Sequence, residues 1–395
     1  MTLMNLTVGL EEEFFLVDKI TGDICQQWPD ELWKICHQKF PGQIIREFIS
    51  GQVELVSSPA HSIQELHTES FLLRSFLVEQ SAKFNLAPMA CASHPKAKWH
   101  QQKPTVSKRY QRLADELKIS AERLLVCGTH VHVGIKDLGL RLRVMNELSY
   151  YLPIFLALSS SSPFWASQDT GLVSYRAAVL SSLPRSGLPP IFTSVEDYQS
   201  YLKLMIDSSA ITSAKELWWD LRLSANFPTV EIRIADTCTS HLDVMAIVAL
   251  IKSLVAYIID KPKLDLNTLN KQLLCARENR WRAQRYSFHD GKFLDAQYGK
   301  LHSSPQVIDE IVERIAPYAR LLDCFYYLSH CKNICRIGTS SDLQRKVYND
   351  SLAKGHSKNQ AIDLVSQFLI ARTANIFNPT ELTKHKLREN ELVSN

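Results

Sequence analysis

Three consecutive acids, Glu11, Glu12 and Glu13, lie in a segment whose residues alternate in polarity from Val8 to Asp18. Alternation with a period of two predicts a β-strand, in which neighbouring side chains point to opposite faces. Glu11 and Glu13 then share one face, about 7 Å apart. Two carboxylates at that spacing suit a hard divalent cation, although a solvated acidic strand is an equal alternative at this point. Glu12 falls on the other face, where a salt bridge, a helix cap or a metal contact would each account for it.

Two histidines form the next polar pair, in the segment Gly128-Thr-His-Val-His-Val-Gly134. On a strand, His130 and His132 share a face that is bordered by glycines, which leave room for a ligand near the backbone. A lone histidine is usually structural. Two histidines on one glycine-bordered face favour a binding site.

Carboxylates and arginines occur together in two later segments. Glu231 and Arg233 share a face of one predicted strand, and Asp220 and Arg222 share a face of the strand before it. A cross-strand ladder of salt bridges on a solvated sheet would explain them. They also fit a metal-binding carboxylate beside arginines that grip phosphate oxygens through several donors.

Glu54 is the weakest of these candidates. It shares a strand face with Gln52, and a polar pair that faces the surface is the more common explanation. Together, however, these segments place acids, imidazoles and arginines on one side of a sheet. Mg²⁺ prefers carboxylate oxygens and keeps substrate phosphates as further ligands, so the combination fits a magnesium ion that bridges phosphates.

The elements that must position these residues are strands separated by helices. Alternation predicts strands at Val8–Asp18, Glu47–Ser57, Leu124–Ile135, Trp218–Ser224 and Thr229–Asp236, the last two as a hairpin. Helical patterns run from a capping box at Ser62 to Asn85 and over Arg143–Ser159, Val195–Asp207, His241–Ile259, Val307–Ser329 and Ser341–Lys354. Parallel strands are usually continuous apolar runs, so the alternation favours a mostly antiparallel sheet with helices on one face, an α+β fold.

The composition argues against several classes of protein. The 395 residues are 45% hydrophobic with a net charge of +4, which disfavours a nucleic-acid or membrane-surface role. The apolar stretch Ala246–Ile259 is too short to span a bilayer, and we expect a buried helix there. The first residues lack the pattern of a signal peptide, so we expect a cytoplasmic protein.

Nine scattered cysteines are expected to be reduced thiols. Cys324, Cys331 and Cys335 would lie on one helix face near His330, where a zinc site is conceivable. Because no CxxC pair or second ligand cluster supports zinc, a buried helix stripe is the favoured interpretation.

Known signatures of several other sites do not occur in the sequence. There is no GxxxxGK[ST] loop, no GxGxxG motif and no GxSxG elbow, so P-loop, Rossmann and hydrolase-type sites do not apply. The proline-bearing segment Leu183–Pro190 predicts a long loop that is mobile over a site.

Eight motifs follow one another from residue 8 to about residue 350. They are Val8-Gly-Leu-Glu-Glu-Glu-Phe14, Gly128-Thr-His-Val-His-Val-Gly134, Ser162-Pro-Phe-Trp165, Asp169-Thr-Gly171, Ser174-Tyr-Arg176, Thr229-Val-Glu-Ile-Arg-Ile-Ala-Asp-Thr237, Asn279-Arg-Trp-Arg-Ala-Gln-Arg285 and Gly338-Thr-Ser-Ser-Asp-Leu-Gln-Arg345. In these motifs and their order the chain resembles the type-2 glutamate–cysteine ligase family, and most of all its bacterial carboxylate–amine ligase branch. Each motif alone is modest, but the ordered set is highly specific.

The resemblance implies a fold and a set of partners. One catalytic domain would cover residues 1–380, followed by a charged C-terminal tail at 381–395. The antiparallel sheet would be curved into a funnel with helices on its outer face, as in the catalytic fold of glutamine synthetase. ATP and Mg²⁺ or Mn²⁺ would be the cofactors, a small-molecule carboxylate and an amine the substrates, and a homodimer the assembly.

The resemblance also assigns roles to single residues. Matches to metal-binding positions are Glu11, Glu13, Glu54, His130 and Glu231. Arg233 matches the catalytic arginine that contacts phosphate. His132 has no settled role in the pattern. We group it with the residues that match positions expected to face substrate or nucleotide, which are Tyr175, Arg176, Arg222 and Arg285.

The implied reaction is ATP-dependent amide formation through an acyl phosphate, with weak glutamate–cysteine ligase activity. Two other functions stay open. One is a metal-dependent hydrolase that uses His130, His132 and a bound water, which would leave Arg233 without a role. The other is a non-catalytic nucleotide-binding relative, against which the intact acids argue.

Overall fold

The computed structural model describes residues 5–105 and 107–379, except for the side chains of Lys108 and Arg109. The predicted tail at 381–395 and the domain boundary before it lie outside these residues. In the described part, a seven-stranded antiparallel sheet packs against helices, which confirms the predicted α+β fold.

Seven strands form the main sheet, and three short pairs lie outside it. The strands are β1 (Val8–Asp18), β2 (Ile44–Arg46), β3 (Gln52–Val56), β4 (Leu86–Met89), β5 (Thr129–Gly134), β6 (Phe164–Trp165), β7 (Gln168–Asp169), β8 (Ser186–Gly187), β9 (Trp218–Trp219), β10 (Leu221–Leu223), β11 (Thr229–Ile232), β12 (Lys292–Leu294) and β13 (Leu301–Ser303). The main sheet has the order β10-β11-β5-β1-β3-β2, and β4 pairs with the second half of β1. The short pairs are β6–β7, β8–β9 and β12–β13.

Helices connect these strands and form most of the second half of the chain. They are α1 (Asp30–Lys39), α2 (Ile63–Ala82), α3 (Lys108–Leu117), α4 (Ile119–Glu122), α5 (Leu138–Leu148), α6 (Leu152–Ser159), α7 (Tyr175–Leu180), α8 (Val195–Asp207), α9 (His241–Asp260), α10 (Leu266–Arg285), α11 (Ser304–Leu321), α12 (Phe325–Ile337), α13 (Ser340–Ala353) and α14 (Lys358–Ala374).

Each of the five predicted strand segments contains a strand of the main sheet, and β1 has the predicted bounds. The segment 47–57 contributes only β3, because the chain reverses at Ser50 and Gly51 between β2 and β3. The segment 218–224 is divided between two sheets, since β9 pairs with β8 whereas β10 pairs with β11.

Several predicted helices are confirmed. The bounds of α8 are those predicted, while α9 and α13 differ from prediction by one residue at an end. At the start of α2, the Ser62 hydroxyl accepts a hydrogen bond from the Glu65 N–H, and the Glu65 side chain accepts from the Ser62 N–H. This is the capping box that the sequence indicates.

Two predicted helices are wrong because each is interrupted. The helix predicted over Val307–Ser329 is divided into α11 and α12 at Asp323, whose φ of 49° is left-handed. The helix predicted over Arg143–Ser159 is divided by a 3-10 turn at 149–151, just before Pro153 at the start of α6. Proline has no N–H to continue the helical hydrogen bonds, so the break falls there.

The back face of the sheet is apolar and carries the core. Leu10, Val131 and Val230 alternate with the polar residues of their strands and are buried in one cluster with side chains of α5, α9 and α12. Within the described chain, α9 is long and apolar enough to cross a membrane. However, 78% of that stretch is buried inside the protein, as expected for a core helix.

All nine cysteines are free thiols, and all but Cys25 are buried. Cys331 and Cys335 lie on α12, whereas Cys324 precedes it at the break. Neither of the two groups of metal-type ligands in the described chain includes a cysteine. The stripe is therefore packing rather than a zinc site.

The central acid of β1 faces the back of the sheet and ends in an ion pair. Glu12 is 1% exposed, and both of its carboxylate oxygens accept hydrogen bonds from the Arg74 guanidinium of α2. The Ser70 hydroxyl donates to Glu12 at 3.0 Å and lies 2.9 Å from Nε2 of His241 on α9. Of the roles that the sequence leaves open for Glu12, the salt bridge is the one observed. It ties β1 to α2 and α9.

Replacing Arg74 with methionine should lower the free energy of unfolding by about 3–5 kcal/mol, because Glu12 would stay buried without its partner. Urea denaturation measures the effect. The double variant Glu12→Met/Arg74→Met should lose less than the single one, since no uncompensated charge remains. Lys83→Met, in an exposed pair with Glu79 near the end of α2, is the control. A loss in Arg74→Met no larger than in this control would contradict the assignment.

Candidate metal and phosphate site

The register of β1 with its two neighbours brings four of the predicted residues together. Glu11 lies directly opposite His130 of β5. Glu13 lies directly opposite Glu54 of β3. Directly opposite residues share a face of the sheet. All four side chains therefore project to the face away from Glu12.

The same face continues across β5 to β11 and β10. His132 lies opposite Glu231, and Glu231 lies opposite Arg222. Arg233 follows directly after β11, where its N–H donates to the Asp220 carbonyl at 2.8 Å. One continuous polar row thus crosses the sheet from β10 to β3.

Two overlapping groups of metal-type ligands lie in this row. Glu11, His130 and Glu54 form one group, and Glu11, His132 and Glu231 form the other; within each, the ligand atoms lie within 4.8 Å of one another. Oε2 of Glu11 is 3.1 Å from Nδ1 of His130, and its Oε1 is 3.3 Å from Nε2 of His132. Glu11 is shared, so it links the two groups.

His132 shows most directly that the row fits a divalent cation. Its Nε2 is buried and makes no hydrogen bond, although it faces Glu11. Its Nδ1 lies 2.9 Å from the Thr229 hydroxyl, a partner that suits a proton on Nδ1. That tautomer leaves the Nε2 lone pair for a metal, as second-shell hydrogen bonds commonly do for histidine ligands.

At the β5–β11 side of the row, the acids are held ionised. Burial opposes this, but hydrogen bonds with His130 and His132 keep the pKa of Glu11 far below its ordinary range. Burial likewise opposes the ionisation of Glu231, whereas Arg233 and its neighbour arginine lower that pKa to about 2. Burial lowers the pKa of His130 to about 4, so its imidazole is neutral and can donate a lone pair.

At the β3 side, the acids are held protonated. Burial and the charge of Glu47 raise the pKa of Glu13 to about 7. The same two causes raise the pKa of Glu54 well above 4.5, and Glu11 adds to them. Carboxylates crowded at low dielectric repel each other, and a divalent cation relieves that repulsion.

Two arginines hold Glu231 in place. Nε and Nη2 of Arg222 donate to the two oxygens of Glu231 at 2.8 and 2.9 Å. Nη1 of Arg222 donates to the carbonyls of Lys215 and Leu217. All three nitrogens of Arg222 are thus bonded within the protein. Arg233 also donates to Glu231 through Nη1, but no bond to its Nε or Nη2 occurs among the described residues.

Arg176 lies beneath the row and holds the backbone after β11. Its Nη1 donates to the carbonyls of Ile234 and Ala235, both at 3.1 Å, and its Nη2 donates to that of Arg233 at 3.0 Å. A Cβ at Gly128 would lie 2.2 Å from Nη2, so only glycine admits this arrangement. Arg176 therefore positions the segment that carries Arg233.

The structure does not bring two other predicted residues into the row. The ring of Tyr175 packs against Trp165 with centroids 5.2 Å apart. Arg285 is exposed at the end of α10, with its guanidinium over Tyr286. Neither residue lines the cleft above the row, so their contact with a ligand stays a prediction.

The cleft above the row has a volume of about 450 Å³, and its lining includes residues that the sequence analysis missed, among them Glu47, Lys215 and Trp218. Ile45 lies opposite Glu54, and Glu47, two residues later, continues towards the same cleft. The Ser-Gly dipeptide at 50–51 is a turn signal that could have divided the predicted strand and revealed this.

The segment Leu183–Pro190 is part of the cleft wall. Leu183 lines the cleft, and the segment contains β8, which pairs with β9. The Gly187 carbonyl accepts from the Asp220 N–H at 2.7 Å, and Arg185 donates to the Glu216 carbonyl at 3.1 Å. The mobility of the loop stays a prediction.

Helix α3 lies across the cleft and contacts both sides of it. At one side the ring of Tyr110 meets that of Phe48, with centroids 5.5 Å apart. At the other side Arg112 donates to Thr212 at 3.0 Å and to Glu216 at 3.3 Å. The cleft is therefore covered over part of its length.

Comparison with known proteins agrees with this fold and site. Residues 7–364 match the glutamate-cysteine ligase family 2 (GCS2). A protein of Rhodospirillum rubrum named "Putative glutamate--cysteine ligase 2" is 38% identical over 371 residues, which cover 93% of this chain and 95% of that protein. The chain belongs to glutamate-cysteine ligase family 2.

Solved structures show the same fold at low sequence identity. A glutamate–cysteine ligase from Francisella tularensis in complex with AMP superposes with a TM-score of 0.67 at 14% identity, covering 99% of this chain and 95% of that chain. A bifunctional glutathione synthetase from Pasteurella multocida gives a TM-score of 0.70 at 14% identity, covering 94% of this chain. This chain spans 53% of the Pasteurella chain, about half its length.

Glu13→Gln should stabilise the metal-free protein more at pH 8 than at pH 5. The pKa of Glu13 is raised from 4.5 to about 7 in the folded state. Its contribution to stability is therefore complete below pH 4.5 and lost as the pH rises through 7. Glutamine imitates the protonated carboxyl at every pH, so the difference in unfolding free energy between variant and wild type should grow by about 3 kcal/mol. Urea denaturation in EDTA at pH 5 to 8 measures it. Glu79→Gln, at an exposed carboxylate, is the control, and a difference for Glu13→Gln that does not change with pH would refute the shift.

Proposed function

We propose that this protein is an ATP-dependent ligase that joins a small-molecule carboxylate to an amine. The observation that carries the proposal is the polar row, in which two groups of metal ligands share Glu11 and Arg233 keeps donors free beside them. Family membership supports it. The AMP bound to the Francisella structure supports the use of a nucleotide.

A carboxylate does not form an amide unaided, because oxide is a very poor leaving group. Transfer of the γ-phosphoryl group of ATP to a carboxylate oxygen gives an acyl phosphate and ADP. The amine then attacks the acyl carbon, the C–O bond to phosphate breaks, and phosphate and a proton are released. Such phosphoryl transfer depends on alignment and on neutralised charge more than on covalent help from the protein.

The residues of the row have separate roles in this proposal. Mg²⁺ or Mn²⁺ ions, when bound, neutralise phosphate charge. The residues that would hold them are Glu11, Glu13, Glu54, His130 and Glu231, and His132 is suited to join them through Nε2. Arg233 is the catalytic group, since its free donors can bind the oxygens of the transferring phosphoryl group. Arg222 is a positioning residue, because its donors are occupied in orienting Glu231.

The proposal extends to the setting of the reaction. The R. rubrum relative is named for glutamate and cysteine. We propose weak activity with that pair, within one catalytic domain at residues 1–380. We also propose a cytoplasmic protein that acts as a homodimer and needs neither nucleic acid nor a membrane.

Glu11→Gln should weaken Mn²⁺ binding at both sites, by about tenfold or more at each, because Glu11 offers an oxygen to both ligand groups. Glu54→Gln should weaken one site only. Electron paramagnetic resonance of free Mn²⁺ during a titration measures both affinities. Glu79→Gln, at an exposed carboxylate outside the cleft, is the control. Two sites of wild-type affinity in Glu11→Gln would contradict the shared ligand.

Arg233→Lys should lower kcat for ADP release with glutamate and cysteine by about 10²–10³-fold, because an ammonium lacks the forked donors of a guanidinium. Nucleotide affinity should change much less. The control is Arg277→Lys, at an exposed position of α10 outside the cleft. Near wild-type kcat in Arg233→Lys would refute its catalytic role. In the wild type, turnover without ATP would favour a hydrolase, and nucleotide binding without turnover would favour a non-catalytic relative.

A further inference from the structure

The two ends of the cleft differ in charge. The β10–β11 end carries the arginines and the Glu231 clamp, with Lys215 and Trp218 at its rim. The opposite end, which we call the acidic end, is formed by Glu47 and Glu54 at β2 and β3. Four strand spacings separate β11 from β2, so the ends lie about 19 Å apart. Phosphates belong with the arginines, which leaves the acidic end for a different reactant.

The acidic end has an apolar wall. Ile45 of β2 and Phe48 line it from the sheet, Leu124 and Val126 from the segment before β5, and Tyr110 from α3 above. The edge-to-face contact of Phe48 and Tyr110 makes this wall partly aromatic. Apolar pockets with a few convergent polar groups are typical binding sites for small organic molecules.

The carboxylates of the acidic end have no cationic partner. Glu54 is 7% exposed, and no backbone N–H or basic side chain among the described residues donates to it. Glu47 lies within hydrogen-bonding reach of Glu54 and accepts the Phe48 N–H at 2.7 Å. Of the described side chains that line this end, none belongs to a lysine or arginine. A ligand carboxylate placed here would face two protein carboxylates.

We propose that the acidic end binds the amine substrate and selects amines that carry an apolar substituent and no carboxylate. The inference rests on the ligase function proposed above. Glu47 and the rings of Phe48 and Tyr110 would hold the ammonium, the rings through cation–π contacts. The apolar wall would bury the substituent, and repulsion from Glu47 and Glu54 would exclude amino acids. Cysteine carries such a carboxylate, which accounts for weak activity with it.

Isothermal titration calorimetry with matched ligands tests the proposal. The full-length protein, with Mg²⁺ and saturating adenylyl imidodiphosphate, is titrated with phenethylamine and with phenylalanine, which differ only in the α-carboxylate. Phenethylamine should bind at least about tenfold tighter. Equal affinities would overturn the proposal. Displacement of phenethylamine by the nucleotide analogue would also overturn it, because the nucleotide would then occupy the acidic end.

Two neighbouring residues of α3 give a matched pair of variants. Tyr110 lines the cleft, whereas Gln111 is exposed. Tyr110→Lys should weaken phenethylamine binding by about tenfold or more and remove the preference over phenylalanine, since a cation now faces the ligand. Gln111→Lys adds the same charge and should change neither affinity, and Tyr110→Phe should retain the preference. An unchanged preference in Tyr110→Lys would overturn the location.

Nucleotide binding separates the two proposals. Wild-type protein that fails to bind adenylyl imidodiphosphate with Mg²⁺ would overturn both the ligase function and the inference. Wild-type protein that binds the analogue but does not distinguish phenethylamine from phenylalanine would overturn the inference alone.

Discussion

The buried ion pair of Glu12 and Arg74 sets the orientation of the strand that carries the site. A carboxylate that is 1% exposed is stable only with a partner, and Arg74 of α2 supplies it from the back of the sheet. Slippage of β1 by one residue would exchange its faces, leaving Glu12 in the cleft and its neighbours in the core. The pair thereby directs Glu11 and Glu13 into the cleft.

Residues of the same type have different roles around this strand because their donors are used differently. Arg176 is saturated by backbone carbonyls, and Arg222 by Glu231 and two further carbonyls. Arg233 shares Glu231 but keeps donors towards the cleft. The first two arginines build the site, and the third remains able to bind a ligand. Side-chain type alone does not separate these roles, whereas the pattern of hydrogen bonds does.

The charge distribution in the cleft follows from the order of strands. Histidines and arginines lie beside Glu11 and Glu231 and keep them ionised, while Glu13 and Glu54 lie beside other acids and have raised pKa values. Antiparallel pairing makes neighbours of β5, β1 and β3, so acids with opposite shifts lie on adjacent strands or on one strand. Such a site accommodates cations and phosphates at one side and leaves a separate acidic surface at the other.

The sequence by itself determined the face of each residue within its strand, because side chains alternate with a period of two. The acids, histidines and Arg233 of the row could be identified in this way, together with the α+β class. Only the tertiary structure decided what lies across from each residue. Pairing of β1 with α2 settled Glu12, the turn at 50–51 brought Glu47 to the cleft, and α3 supplied Tyr110 from above. These are contacts between segments far apart in the chain, or reversals within a segment that a periodic pattern cannot register.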